Sequence, residues 1–213
     1  MSETVAGSGA RRYNTRNFLI GLVIVGFACG AFLLYFMKGL YLLPGNVCDA
    51  SVQRDTVIRI LPRARSADQW AGQGSSGRHF SYGCRVSTSG DSILSGQVDV
   101  RDTSEASWAS SYSQGHSVLR ASKGGVEALA ANGGRSVSLY IPCVPAGVEA
   151  GDARQSYALV ADAGVLGKSR ATGAELREAL TDFLYQFTRH AYDVAECKPQ
   201  RDLPKRLPPY KQP

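Results

Sequence analysis

The sequence lacks the short motifs that mark several common enzyme classes. It contains no HExxH, no GxSxG and no EF-hand loop, and no serine stands three residues before a lysine. These absences exclude the zinc-protease helix, the nucleophile elbow, the EF-hand calcium site and the Ser-x-x-Lys signature of cell-wall acyl enzymes. The three histidines, His79, His116 and His190, lie far apart. We therefore predict no catalytic residue, no cofactor and no bound metal.

Two patterns resemble functional sites but have simpler interpretations. Gly72, Gly74 and Gly77 spell GxGxxG, yet the motif leads into a predicted strand rather than a helix, so we interpret it as a flexible loop. Asp99 and Asp102 could act as an acid–base pair. Acidic residues are frequent enough in this region to produce such a pair by chance.

Excess basic charge is absent from the central part of the chain. The net charge is +6, but residues 46–197 carry 15 basic and 16 acidic groups. The excess lies in residues 1–45 and in residues 198–213. A nucleic-acid surface needs a basic patch, and the domain has no basic run to supply one. We therefore exclude nucleic acid as a partner.

No charged residue occurs between Phe18 and Met37. A helix of these 20 residues would be about 30 Å long, which matches the hydrocarbon thickness of a bilayer. Arg11, Arg12 and Arg16 precede the run, whereas only Lys38 follows it closely. The positive-inside bias therefore predicts a single-pass membrane protein with a cytoplasmic amino terminus and an extracytoplasmic domain. Membrane lipid is its first expected partner.

Two alternatives to an uncleaved anchor are weaker. A cleavable signal peptide has an apolar core of about 7–15 residues and a small-residue cleavage site, and residues 39–47 contain no Ala-x-Ala. A lipoprotein would acylate Cys29, but Gly26 occupies the aliphatic position of a lipobox. Gly26 and Gly30 also form a GxxxG pair, which lets two helices approach closely and predicts a homo-oligomer through the span. The alternative is that the pair has no role in association, because glycine is common in membrane helices.

The cysteines lack the short spacings of a zinc site. Cys48, Cys84, Cys143 and Cys197 follow the span, no two of them closer than 36 residues. An even number in an oxidising compartment predicts two disulfides. We favour sequential pairing, Cys48 with Cys84 and Cys143 with Cys197, because each bond then ties a helix end to a neighbouring strand. The other two connectivities stay open at this point.

The chain divides by composition into five segments. They are a disordered cytoplasmic tail (1–17), a transmembrane helix (18–37), a juxtamembrane linker (38–47), a disulfide-bonded domain (48–197) and a basic, proline-rich, disordered tail (198–213). The last tail could touch anionic wall polymer or lipid headgroups, or it could be solvated without a partner.

Apolar residues alternate with polar ones at several places in the domain. This period of two predicts strands at 79–87, 94–100, 135–143 and 157–161, the first two forming a hairpin. Residues 51–61 predict a helix, residues 63–78 a loop, and residues 103–134 one or two short helices. The predicted fold class is α+β, with an antiparallel sheet, flanking helices and a long C-terminal helix.

The C-terminal helix has the clearest pattern. Thr172 and Glu175 fit a capping box. Apolar residues then recur at helical spacing: Leu176, Leu180, Phe183, Leu184, Phe187, Ala191 and Val194. Polar residues lie on the opposite side: Arg177, Glu178, Asp182, Arg189 and Asp193. We expect this amphipathic helix to lie across the sheet.

Only two tryptophans are present, Trp70 and Trp108, both in polar surroundings. An exposed tryptophan would suit a carbohydrate platform or a protein contact. The alternative is partial burial against the core.

The anchor, the four outer cysteines, the strand RSVSLYIPC and the helix ELREALTDFLYQFTRHAYDVAEC resemble actinobacterial membrane-anchored or lipid-anchored extracytoplasmic proteins. The resemblance covers most of residues 48–197 and implies a four-cysteine α+β domain, but no particular activity. We therefore predict a non-catalytic module that binds an envelope protein or a cell-wall polymer. The alternative is an extracytoplasmic hydrolase that acts on cell-envelope material through an unrecognised site.

Overall fold

The computed structural model describes residues 15–36, 39–114, 117–148 and 156–211, in two compact units, Met1–Met37 and Lys38–Pro213. The first unit contains helix α1, Thr15–Phe36, on which Arg16 is exposed. Within the described ranges, no helix combines the length and hydropathy that crossing a membrane requires. Arg11, Arg12, Met37 and most of the predicted cytoplasmic tail lie outside the described residues.

The second unit contains strands, α-helices and two 3₁₀ turns. The strands are β1 (Asn46–Val47), β2 (Val52–Gln53), β3 (Ala67–Ser75), β4 (Ser81–Thr88), β5 (Ile93–Asp102), β6 (Val118–Lys123), β7 (Val126–Ala131), β8 (Ser136–Pro142) and β9 (Tyr157–Leu166). The α-helices are α2 (Arg54–Ile60), α3 (Glu105–Tyr112) and α4 (Gly173–Val194), and the 3₁₀ turns are Gly39–Leu42 and Gly77–His79.

A seven-stranded antiparallel sheet forms the centre of the second unit. Its strand order is β3-β4-β5-β9-β8-β7-β6, while β1 and β2 form a separate two-stranded ladder. The predicted hairpin is present as β4 and β5, with Tyr82 opposite Val98. The predicted α+β class, with an antiparallel sheet and a C-terminal helix, is confirmed.

Helix α4 packs its apolar stripe against one face of the sheet. Phe183 and Phe187 are fully buried, and they lie over Gly96 of β5, the residue that leaves room for their rings. The other stripe residues are buried as well, except Val194, which is 37% exposed. Thr172 is the N-cap residue, but its side chain makes no capping hydrogen bond, so the predicted capping box does not form.

The proline-rich C-terminal segment differs from the unfolded tail that its composition predicted. It runs alongside α4, where Thr181 Oγ1 lies 2.6 Å from Tyr210 Oη. It also reaches the edge strand β6, where the Lys211 backbone N–H donates to the Arg120 carbonyl at 3.0 Å. The Tyr192 hydroxyl donates to the Pro199 carbonyl at 2.9 Å, and the Tyr185 hydroxyl donates to the Pro204 carbonyl. The segment therefore packs through isolated apolar and carbonyl groups, which leave no periodic signal in the sequence.

The segment predicted as a linker also belongs to the globular unit. Leu40, Leu43 and Val47 are buried in the main core. The Gly39 backbone N–H donates to the Ala64 carbonyl at 3.0 Å. The globular unit thus extends beyond the predicted bounds 48–197 at both ends.

Two predicted stretches have a different secondary structure. Residues 63–78, expected to be a loop, contain the edge strand β3, whose side chains are mostly exposed and so lack alternation. Residues 103–134 contain one helix, α3, followed by the hairpin of β6 and β7 rather than a second helix. Gly124 and Gly125 both have positive φ, +61° and +78°, as a tight two-residue hairpin requires.

Both favoured disulfides are confirmed. Cys48 bonds to Cys84 with a Cα–Cα distance of 5.5 Å, and Cys143 bonds to Cys197 with a distance of 4.9 Å. Cys29 is free and exposed on α1. Cys48 lies in the turn between β1 and β2 rather than at a helix end.

Candidate functional site

The two faces of the large sheet are covered unequally. Helix α4 lies against one face, where it contacts β5, β8 and β9. On the other face, α3 covers only one part, where Trp108 packs with Leu129, Tyr140 and Val160. Trp108 is 5% exposed and its indole N–H donates to Ser138 Oγ at 3.0 Å, so this tryptophan belongs to the core.

The rest of that second face, across β3, β4, β5 and β9, carries exposed and half-buried side chains. We call it the open face. Its members are identified by strand register, because residues directly opposite each other in an antiparallel sheet project to the same side. They are Asp68, Trp70, Gly72, Ser81, Gly83, Arg85, Ser87, Ile93, Ser95, Gln97, Asp99, Arg101, Asp162, Gly164 and Leu166.

Two rows of these residues cross the strands next to each other. One row runs from Trp70 on β3 through Arg85 on β4 to Ser95 on β5. The adjacent row runs from Gly72 through Gly83 to Gln97, and it continues to Asp162 on β9. An aromatic ring, a guanidinium, an amide and a carboxylate therefore share one continuous surface.

Trp70 rests on this surface above two glycines. A Cβ added to Gly83 would lie 3.0 Å from Cζ3 of the indole, and one added to Gly72 would lie 3.3 Å from Cζ2. The side chain is nevertheless 62% exposed. The six-membered ring thus contacts the backbone beneath it and presents much of its surface to solvent. Trp70 is therefore exposed, as a binding contact would require, whereas Trp108 is buried in the core.

The glycines of the GxGxxG pattern have a structural explanation in this arrangement. Gly72 provides space beneath the indole, and Gly74 lies at the irregular pairing between β3 and β4, where an added Cβ would be 2.6 Å from Ser81 Oγ. Gly77 has a φ of +62° at the turn into β4. The motif therefore shapes an edge strand and is neither a dinucleotide site nor the flexible loop that we predicted.

Polar groups beside the indole form a hydrogen-bonded network. Gln97 Nε2 donates to both carboxylate oxygens of Asp99, at 3.1 and 3.2 Å. Arg101 Nη2 lies 3.3 Å from Asp99 Oδ2 and 3.5 Å from Asp162 Oδ2. Such partly exposed pairs contribute little to stability. Their effect is to hold donors and acceptors in fixed positions on the open face.

The candidate carboxylate pair is not brought together. Asp99 and Asp102 are three residues apart on β5, and side chains at that spacing project to opposite faces of a strand. Asp99 belongs to the open face, whereas Asp102 is exposed at the end of the strand. The two residues therefore do not form an acid–base pair.

A second polar region surrounds the turn between β1 and β2. Cys48, Asp49 and Ala50 have φ values of +56°, +54° and +61°, in the left-handed region that costs a non-glycine residue about 1–2 kcal/mol. Tyr82 Oη donates to Asp49 Oδ2 at 2.9 Å, and burial, followed by this bond and the Asp49 charge, raises the pKa of Tyr82. The disulfide between Cys48 and Cys84 also holds the turn.

A shallow pocket of about 350 Å³ adjoins this turn, lined in part by Gln53, Gln186, Arg189 and His190. Gln186 accepts from the Gln53 backbone N–H and donates to Thr56 Oγ1, both at 3.0 Å. His190 is half-buried, with its ring 5.6 Å from the ring of Tyr82. These contacts tie α4 to β2 and α2, so we interpret the region as a structural corner.

Sequence reasoning missed one buried carboxyl group. Glu127 on β7 is 6% exposed, and its Oε1 lies 2.6 Å from Arg120 Nη1. Burial and a hydrogen bond with Glu105 raise the pKa of Glu127 to about 7, despite the opposing charge of Arg120. The available signal was a single acid inside the apolar run VEALA, a pattern that often marks a paired or functional charge.

The two histidines with described positions do not converge with other possible metal ligands. His79 is exposed at the end of the second 3₁₀ turn, and His116 lies outside the described residues. Among the residues with described positions, no group of three or more histidine, cysteine or acidic side chains could hold a metal ion. Compared with known proteins, the chain matches no family model, no curated protein and no solved structure.

Proposed function

We propose that this protein is a membrane-anchored extracytoplasmic module that binds an envelope protein or cell-wall polymer through its open face. The observation that carries the proposal is the position of Trp70, exposed on an open sheet surface and held above Gly72 and Gly83. A large exposed aromatic side chain adds unfavourable contact with water. Its burial by a ligand would relieve that contact.

The surroundings of Trp70 resemble those of energetically important residues in binding sites. Tryptophan and arginine are enriched among the residues whose truncation costs the most binding energy. Arg85 lies directly opposite Trp70 on the neighbouring strand, and Gln97, Asp99 and Arg101 supply a polar surround. This combination of an aromatic centre and polar periphery supports a binding surface.

Three observations support the membrane anchor and the extracytoplasmic location. The run from Phe18 to Met37 has no charge, and three arginines precede it. The apolar side chains described on α1 are exposed, for example Phe27 at 78%. The acyl chains of a bilayer would cover them. Two disulfides join the four cysteines of the globular unit, and disulfides persist chiefly in oxidising compartments.

The location is tested with a reporter fused after Pro213 that works only outside the cytoplasm. We expect the fusion to be active, because the arginines retain the amino terminus inside. A second fusion, to a reporter that works only in the cytoplasm, is the matched control and should be silent. The reverse result would overturn the proposed orientation.

The binding surface is tested by photo-crosslinking in intact cells. A photoreactive residue at Arg85 should form an adduct, identified by mass spectrometry, that disappears with Trp70→Ala. Tyr41→Ala is the matched control, since Tyr41 is an aromatic residue, 50% exposed, that lines a pocket with α2. Adducts that are insensitive to Trp70→Ala, or the absence of any adduct at position 85, would refute binding through the open face.

One observation favours the hydrolase alternative. Burial and the neighbouring Glu105 raise the pKa of Glu127 to about 7. A carboxyl group with such a pKa can donate a proton at neutral pH. If purified protein releases soluble fragments from isolated cell envelopes, and Glu127→Gln abolishes the release, the non-catalytic proposal is wrong.

A further inference from the structure

The indole of Trp70 selects for a ligand that has a flat apolar side. The ring lies on the backbone at Gly72 and Gly83, so a ligand reaches it from the solvent side. The face of an aromatic ring carries partial negative charge, which attracts C–H groups and cations. A pyranose ring offers a side of axial C–H groups that matches such a surface.

The shape of the open face selects for an extended ligand. Strands lie about 4.8 Å apart, so the path from Trp70 on β3 to Asp162 on β9 covers about 14 Å. Small residues, Gly83, Ser95 and Gly164, lie along this path. Since their side chains project little, a chain of several linked rings can lie flat across the four strands.

The charges of the open face select for an uncharged ligand. Arg85 and Arg101 are offset by Asp99 and Asp162, and Asp68 lies two residues from Trp70 on the same face of β3. A polyanion would meet three carboxylates, and a polycation would meet two guanidinium groups. A hydroxyl group both donates and accepts hydrogen bonds, and therefore suits the alternating amide, carboxylate and guanidinium groups.

We propose that the ligand of the open face is an uncharged oligosaccharide, with one sugar ring stacked on Trp70 and the following rings hydrogen-bonded by Gln97, Asp99 and Asp162. This inference rests on the proposed function and adds the chemical class of the ligand. Asp99 accepts from sugar hydroxyls while Gln97 keeps it in position.

The test uses the full chain in a polyoxyethylene detergent, which has no sugar headgroup. The probes are hexamers of N-acetylglucosamine and of glucose, the corresponding monosaccharides, and heparin as an anionic chain. Binding is measured by calorimetry and by tryptophan fluorescence, to which Trp70 contributes as the exposed indole. We expect one hexamer to bind, at least tenfold more tightly than its monosaccharide and than heparin.

Three variants locate the binding on the open face. Trp70→Ala should weaken hexamer binding at least tenfold. Gly83→Ala should also weaken it, because the new methyl group would lie 3.0 Å from the indole and displace the ring, although Trp70 is retained. Tyr41→Ala should leave the dissociation constant unchanged. Equal affinity of Trp70→Ala and the unaltered chain would overturn the inference.

The outcomes separate this inference from the proposed function. If neither hexamer binds, but the crosslink at position 85 captures a protein in a Trp70-dependent way, the carbohydrate inference is wrong and the binding module stands. Preferential binding of heparin would also overturn the inference, in favour of an anionic polymer on the same face. If no probe binds and no crosslink forms, both proposals are wrong.

Discussion

Replacing Phe183 by alanine tests whether α4 is held on the sheet by the contact above Gly96. Phe183 is fully buried, and its ring stacks on Phe187 with 6.2 Å between centroids. Truncation of a buried phenylalanine typically costs about 3–5 kcal/mol, and a domain of this size has about 5–15 kcal/mol of net stability. We therefore expect Phe183→Ala to remove a large fraction of the free energy of unfolding.

The structure predicts a second, coupled change at Gly96. A Cβ at this position would lie 2.9 Å from Phe183 Cε1 and 3.3 Å from Phe187 Cδ1. Overpacking of this kind typically costs about 1–3 kcal/mol, so Gly96→Ala alone should be destabilising. In the double variant the new methyl group would occupy part of the space that Phe183 leaves. The free energy of unfolding of the double variant should therefore fall by about 1–3 kcal/mol less than the sum of the decreases in the two single variants.

The assay is urea-induced unfolding of the globular unit, residues 38–213, with the disulfides intact and the pH constant. Glu178→Ala is the control on the exposed side of α4 and should stay within about 0.5 kcal/mol. Arg177 and Asp182 would be poorer controls, because Arg177 lies 5.6 Å over the ring of Tyr210 and Asp182 is 2.7 Å from Arg59. Strictly additive losses, or a Phe183→Ala cost below about 1 kcal/mol, would refute the proposed packing.

Three further predictions concern charge, the C-terminal segment and the covalent structure. Since the folded pKa of Glu127 is raised above its ordinary value of 4.5, the folded state favours the protonated carboxyl, and stability should fall as the pH rises from about 4.5 through about 7. The loss of unfolding free energy is at most about 3 kcal/mol. In urea unfolding, Glu127→Gln should make the stability less dependent on pH over this range. An unchanged dependence would contradict the raised pKa of Glu127. Ending the chain at Lys198 should lower the urea midpoint of unfolding. The hydroxyls of Tyr185 and Tyr192 would lose their hydrogen-bond acceptors, and apolar surface of α4 would be exposed. An unchanged midpoint would mean that the C-terminal segment does not pack on α4. Peptide mapping without reductant should recover only the two sequential disulfides, and a bond between the second and third of the four cysteines would contradict the fold.

The residue pattern alone was enough to predict the elements that bury one face only. In β4 and in α4 the apolar residues recur at the period of the element, because the core lies on one side and solvent or polar contacts lie on the other. The hairpin of β4 and β5 followed from alternation on both sides of a short turn. The disulfide pairing was favoured from the order of the cysteines, and the antiparallel sheet brings each pair within bonding distance.

Elements whose environment comes from other parts of the chain are recognisable only in the folded protein. Strand β7 is buried on both faces, because the core lies on one side and α3 covers part of the other, so its run VEALA carries no period of two. Strand β3 is an edge strand that β4 defines through backbone pairing, and backbone hydrogen bonds leave no hydropathy pattern.

The surroundings of the candidate site also come from distant parts of the chain. Trp70 and Trp108 have similar polar neighbours in sequence, yet α3 carries Trp108 into the core while β3 places Trp70 on the open face. Gln97 and Asp162 become neighbours of Gly83 only through the pairing of β4, β5 and β9. A binding face that is assembled across strands depends on which strands pair. Strand β5 pairs with β9, which lies far away in the sequence, and no local pattern reveals that pairing.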